Sequence, residues 1–261
     1  MTISPRDDLA LMAGYHSAQV DVAVRLNTNE APEPPPAGFA GAELIIPVRI
    51  ENRGAAAIDA KFSTRLWQMS SATLVPLGEA VPWWRGRIEA GKLADGGVKI
   101  VLPDFRTAIR LRLQVLAEDG TLAGKVDVTA IPRDWLRGEI AALPAPPALY
   151  DPANRIALAF TKLGIEATPL REVDDFASVR TSVAIVVLPK EPGEPLTAAA
   201  QRLATRGVGI VFVQTVETVA KDAMLLAPGT DFADSAPAQF LLVQKLRDAL
   251  KRKQPPTTAS P

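Results

Sequence analysis

The hydrophobic period of this chain changes once, and that change limits the fold more than any other feature. Between Glu43 and Ile131 apolar residues largely alternate with polar ones, whereas Val183 to Leu188 is an unbroken apolar run. A period of two sets one face of a strand on a core and the other in water. An unbroken apolar run of six, rich in β-branched residues, suits a strand covered on both faces. One kind of sheet cannot serve both segments. Two domains are therefore expected, which 261 residues allow at about 150 residues per domain.

In the first segment Leu44, Ile46, Val48 and Ile50 alternate with Ile45, Pro47, Arg49 and Glu51. Further strand-like runs lie at 60–68, 73–75, 97–102, 108–117 and 125–131. Turns are expected at Asn52-Arg53-Gly54, Asp95-Gly96-Gly97 and Glu118-Asp119-Gly120, where Gly supplies positive backbone angles. The run 108–117 buries Ile109, Leu111, Leu113 and Val115 and leaves Arg110 and Arg112 in water. Short strands with no helical period between them predict an immunoglobulin-like β-sandwich over 42–132. Residues 1–41 read as an extended N-terminal arm and a Pro-rich linker. Val20, Val22, Val24 and Leu26 suit one short strand or an arm laid on another surface, and Pro32, Pro34, Pro35 and Pro36 forbid helix.

After Pro144, Pro146 and Pro147 the pattern becomes strand, helix, strand, helix, strand. Ala148 to Tyr150 is a short strand. A helix starting at Asp151-Pro152-Ala153-Asn154 carries Ile156, Ala157, Phe160 and Leu163 to a stop at Gly164. Buried strands at 183–188 and 209–214 and helices at 196–205 and 237–250 complete a small doubly wound parallel α/β domain, flavodoxin-like, over 145–250. Residues 251–261 read as a disordered tail. The fold class is thus multidomain, β followed by α/β.

The chain has no cysteine and one histidine, His16. Thiolate zinc sites, iron–sulfur clusters and cysteine nucleophiles need sulfur, and a Ser-His-Asp triad needs a placed imidazole. No metal site, cofactor or catalytic residue is assigned, and the enzyme question leans towards no. With 29 basic and 29 acidic side chains, no net field draws nucleic acid or an anionic membrane. The longest apolar runs fall far short of the ~20 residues of a bilayer span, and Asp7 and Asp8 stand where a secretory signal would be basic. The expected address is cytoplasmic.

Ligands of open α/β sheets bind where strand carboxyl ends meet helix N-termini. That rim holds Asp151, Asn154, Lys190, Gln214 and Thr215, with helix capping as the competing role for Asp151. No glycine-rich phosphate loop follows the first strand. Trp83 and Trp84, with Trp67 nearby, offer an aromatic face to a sugar; as strand neighbours they should point to opposite faces, one into the core. Trp135 reads as a plug between the domains. Asp174 and Asp175 are sequence neighbours in a turn rather than the opposed carboxylates of glycoside hydrolysis.

Residues 15–36, YHSAQVDVAVRLNTNEAPEPPP, resemble the N-terminal arm of bacterial histidinol-phosphate aminotransferases, which packs near a dimer's substrate pocket. No pyridoxal-phosphate domain follows. From Leu44 to about Leu250 the chain is similar to the non-catalytic C-terminal region of bacterial beta-galactosidase-type glycoside hydrolases. The matching residues are Pro47–Gly54 (PVRIENRG), Ile131–Asp134 (IPRD), Tyr150–Gly164 and Arg206–Gln214. That resemblance implies an immunoglobulin-like module leading into a glutamine-amidotransferase-like module, here without the nucleophilic Cys at Val211 to Thr215. The expected function is a non-catalytic accessory or protein-interaction module with a protein partner, such as a glycoside hydrolase, and a weak carbohydrate contact. The alternative is an enzyme subunit acting on a small anionic or sugar ligand at the carboxyl edge of the α/β sheet.

Overall fold

The computed structural model describes the backbone of residues 22–26 and, apart from a few end-of-segment side chains, residues 36–189, 192–214, 224–225 and 231–252. It is a multi-sheet, β-rich fold with a few helices, divided into two compact units at Ile131 and Pro132. Among the described residues no helix is long and apolar enough to cross a membrane.

The first unit contains strands β1 (Val22–Leu26), β2 (Ala37–Phe39), β3 (Glu43–Asn52), β4 (Ile58–Met69), β5 (Leu74–Pro76), β6 (Val81–Ile88), β7 (Leu93–Val101), β8 (Ile109–Ala117) and β9 (Leu122–Ile131). One sheet has the order β1-β3-β7; the other runs β2-β9-β8-β4-β5, with β6 also paired to β4. Ile46, Val48 and Ile50 of β3 and Val98 of β7 bury against Phe62, Leu111, Leu113, Val115 and Val128 of the second sheet. Each such side chain contributes about 1.5–3 kcal/mol on burial, so the alternation along both sheets is what holds them together.

Residues 22–26 of the arm form strand β1, the short strand their alternation suits, paired antiparallel to β3. Other expectations change. Residues 37–39, read as linker, form β2 parallel to β9, and the Thr129 N–H donates to the Pro36 carbonyl at 2.9 Å. Asp95-Gly96-Gly97 is not a turn: it lies within β7, opposite Arg49, Val48 and Pro47. The turn into β7 is made instead by Gly91, at φ 65°. Arg112 does not stand in water either. Its side chain is 12% exposed, and Nε and Nη2 donate to Asp127 at 2.8 and 3.2 Å. Asn52 closes the first turn from inside. Fully buried, it donates through Nδ2 to the carbonyls of Ala56, Ile88 and Glu89 and accepts from the Gly54 N–H.

The second unit contains α1 (Trp135–Ala141), β10 (Ala148–Tyr150), α2 (Arg155–Leu163), β11 (Thr168–Leu170), β12 (Val183–Leu188), α3 (Glu194–Thr205), β13 (Gly209–Gln214), β14 (Met224–Leu225) and α4 (Ala236–Arg252). Its sheet is parallel throughout, in the order β11-β10-β12-β13-β14. β12 is buried at every residue, with Val183, Ile185 and Val187 in one core and Ala184, Val186 and Leu188 in another. The first core is closed by α1, α2 and α4, the second by α3 and the 3₁₀ turn 173–178. Trp135 packs inside this unit, stacked on Phe240 at 5.8 Å with the Arg247 guanidinium 5.9 Å from its ring centre. The tail reading is altered at its start, since α4 continues to Arg252; residues 253–261 lie outside the described residues.

Candidate functional site

Beyond β10 the chain turns at Asp151 and enters α2, and there the parallel sheet changes the direction in which strands are added. β11 joins one side of β10, while β12, β13 and β14 extend from the other. Asp151, 8% exposed, sits at this point. Its Oδ2 accepts from the backbone N–H of Ile156 at 2.6 Å and of Ala157 at 2.9 Å. These are donors of the first helical turn, which have no partner inside the helix. The carboxylate therefore occupies the position an anionic ligand would take, and repulsion and lost donors disfavour a second anion. Its Oδ1 is buried with no hydrogen-bond partner. An acceptor in that state is complementary to a donor, not to an anion.

Asn154 has a left-handed backbone at φ 54°, and its N–H donates to the Asp151 carbonyl at 3.0 Å. That turn aims the α2 amides back at Asp151. The Asn154 side chain is exposed and caps nothing. Gln214 ends β13, half-buried, level with Leu188 and Leu225. β12 lies between β10, which leads into Asp151, and β13, which ends at Gln214. Lys190, Thr215 and His16 lie outside the described residues. Of the five rim residues, the structure thus places Asp151, Asn154 and Gln214 at one end of the sheet.

The tryptophans do not divide between faces. β4 shifts register between Phe62 and Ser63, so that Phe62 faces Trp84, Ser63 faces Pro82, and Trp83 is the extra residue. A bulge of this kind re-aims a side chain. Both rings pack on Phe62, at 6.4 and 5.8 Å, and both are half-buried. The Trp83 Nε1–H donates to the Gly97 carbonyl of β7 at 3.0 Å. A Cβ on Gly96 would stand 3.3 Å from the Trp83 ring. This explains Gly96 within a strand: β7 goes without a side chain there so that Trp83 can tie the two sheets, while a Cβ on Gly97 would stand 3.1 Å from the Ile45 side chain. The indoles are packing groups.

Other charged residues also serve local structure. Asp175 Oδ2 accepts from the backbone N–H of Arg171 at 2.7 Å and Glu172 at 3.1 Å, and these bonds hold its carboxyl below the usual aspartate range. A carboxyl with a lowered folded value contributes stability above its unfolded value and loses it as pH falls through the folded one. Acid titration of the urea midpoint is expected to fall less steeply in Asp175→Asn than in the parent; identical slopes would contradict this. Arg206 donates to the carbonyls of Phe176, Ala177 and Val179 at the end of the 3₁₀ turn, a role its place in the sequence does not show. Lys162 Nζ meets Asp231 at 3.2 Å and Asp234 at 2.7 Å. Hydrogen bonds to Asp234 and Asp231 raise the Lys162 value, and Lys162 lowers that of Asp231. A lowered carboxyl is ionised at neutral pH and is no general acid. Among the described residues no group of three or more His, Cys, Asp or Glu side chains is placed to hold a metal ion.

No protein-family model matches the chain, and no curated protein matches it. Solved structures align over less than half of it. Alkylpurine DNA glycosylase AlkC of Pseudomonas fluorescens is 15% identical over 47% of this chain and 32% of its own, with a TM-score of 0.32. A beta-glucosidase from Listeria innocua is 12% identical over 43% of this chain and 16% of its own, at 0.30. A Niemann-Pick type C2 protein from the Japanese carpenter ant is 9% identical over 43% of this chain and 89% of its own, at 0.30. This chain spans about a third of the DNA glycosylase and about a sixth of the beta-glucosidase.

Proposed function

We propose that the chain is a non-catalytic accessory or protein-interaction module whose partner is a carbohydrate-active enzyme of the glycoside hydrolase kind. In this reading the first unit is an immunoglobulin-like β-sandwich. The second is a small doubly wound α/β domain, flavodoxin-like and related to the amidotransferase-like module its sequence resembles. The parallel strand order supports the latter: numbered from β10 it runs 2-1-3-4-5, the flavodoxin order. The address is cytoplasmic, with no nucleic acid, membrane or cofactor involved.

The observation that carries this reading is the state of Asp151. At the place where such sheets bind ligands, the acid best positioned for chemistry is buried and accepts two α2 amides. Of the rings that would stack on a sugar, Trp83 is engaged in joining β6 to β7, and both pack on Phe62. Apolar side chains meanwhile face water on the outer side of β3 and β7, with Ile45 62% and Val101 67% exposed beside the Lys99–Glu43 ion pair. Exposed apolar groups rimmed by charge suit a protein contact.

One observation favours the alternative, an enzyme subunit binding a small ligand at the carboxyl edge: the unpartnered Oδ1 of Asp151, which would take a donor such as a sugar hydroxyl. Calorimetric titration separates the two. Full-length chain should bind a beta-galactosidase-type hydrolase that lacks C-terminal modules, saturably and equally well with Asp151→Asn. No heat with the hydrolase, together with saturable binding of galactose abolished by Asp151→Asn, would overturn the proposal in favour of the alternative.

A further inference from the structure

A cavity of about 450 Å³ lies between the 3₁₀ turn 173–178 and α3. Its size is that of a small-ligand site, about 300–1,000 Å³. Arg180 and Arg206, which line it, stand three residues before the starts of β12 and β13, so it lies towards the amino ends of the parallel strands. Asp151 and Gln214 are at the opposite end. Buried Phe176 and Ala199 and half-buried Val173 give the cavity an apolar wall. Its charged groups are Arg180, Arg202 and Arg206 against Asp174 alone. Arg206 donates through Nη1 to the carbonyls of Phe176 and Ala177 and through Nη2 to that of Val179. Arg180 donates through Nη1 to the carbonyls of Ala177 and Val179. These bonds hold both heads against the turn and leave donors over, because a guanidinium has five N–H groups and neither Nε is used. Arg202 is different. Among the described residues its side chain has no hydrogen bond or ion pair, and no ion pair joins Asp174 to any of the three arginines.

We infer that this cavity binds an organic phosphomonoester, its phosphate on the arginines and its organic group on Val173, Phe176 and Ala199. The charge selects the ligand class. Three arginines against one aspartate leave two positive charges, and a phosphomonoester carries about −1.5 to −2 at neutral pH. A carboxylate or a phosphodiester, with one charge, would neutralise only half of this. Arg202 and Arg206, four residues apart along one side of α3, repel each other in the empty cavity, and a dianion between them removes that repulsion. The planar guanidinium fork also matches two phosphate oxygens at once. Arg202 supplies the mobile contact, while Arg180 and Arg206 are fixed in advance by the turn. The apolar wall gives an ester an advantage over free phosphate. This site is at the other end of the sheet from Asp151 and does not depend on the partner proposed above.

Calorimetric titration of the full-length chain with phenyl phosphate, inorganic phosphate and benzoate tests it. Phenyl phosphate should bind saturably, one per chain, and the other two at least about tenfold more weakly. Arg202→Gln should weaken phenyl phosphate by about tenfold or more, the loss of a charged hydrogen-bond donor, with the urea midpoint unchanged because this side chain holds nothing else. Asp174→Asn, which removes the one opposing charge, should tighten it. No saturable binding of phenyl phosphate by the parent, or equal binding by Arg202→Gln, would overturn the inference. Benzoate bound as tightly as phenyl phosphate would overturn it in favour of a carboxylate site, and inorganic phosphate bound as tightly would overturn it in favour of a simple anion site.

Discussion

Phe160→Ala is expected to destabilise the second unit by about 3–5 kcal/mol, the range for removing a fully packed aromatic ring. Phe160 is 2% exposed and lies in the core formed by α2, α4 and the sheet, 6.4 Å from the Phe232 ring. Fixed strands and two helices surround the space it would leave, so little collapse is available to offset the lost contacts. Since a domain's whole stability is on the order of 5–15 kcal/mol, the urea midpoint should fall sharply. Leu158, two residues earlier on the same helix, is 69% exposed, and Leu158→Ala should shift the midpoint little. Equal effects of the two substitutions would contradict the assignment of α2's inner face.

Asn52→Ala should destabilise the first unit by about 2–4 kcal/mol, with the loss coming from polar groups rather than from volume. Its Nδ2 is held by the carbonyls of Ala56, Ile88 and Glu89, and its Oδ1 accepts from Gly54. Removing the amide strands these groups in a buried turn, at about 1–3 kcal/mol for each that stays unsatisfied. Asn52→Asp should be at least as damaging, because it turns an acceptor oxygen towards three carbonyls. Chemical denaturation monitored by Trp83 and Trp84 fluorescence reads this unit. A midpoint unchanged in either variant would show that the turn does not depend on Asn52.

Where pattern alone determines structure, the sequence is informative. The unbroken run 183–188 is the doubly covered strand β12, and the alternation at 109–115 gives the buried face of β8. It misleads where a distant neighbour decides. Gly96 and Gly97 look like a turn because the Trp83 ring beside Gly96 and the Ile45 side chain beside Gly97 both belong to other strands. Adjacent tryptophans look opposed because the extra residue, Trp83, shows only in the pairing of β6 with β4, between Phe62 and Ser63. Strand β2 is hidden by its length and by the prolines before it. At the candidate site, Asp151 is legible because it ends a strand and opens a helix. The Lys162 pairing with Asp231 and Asp234 is not, since those partners are 69 and 72 residues away.

The carboxylate of Asp151 holds the start of α2 through the Ile156 and Ala157 amides. Hydrogen exchange at the Ile156 and Ala157 amides, compared across parent, Asp151→Asn and Asp151→Ala, measures this directly. An acceptor oxygen survives in Asn, so protection should persist there; in Ala both amides should exchange faster, with about 1–2 kcal/mol of stability lost. Protection and melting temperature unchanged in Asp151→Ala would mean that the helix does not use this side chain, and would return Asp151 to the list of groups available for chemistry.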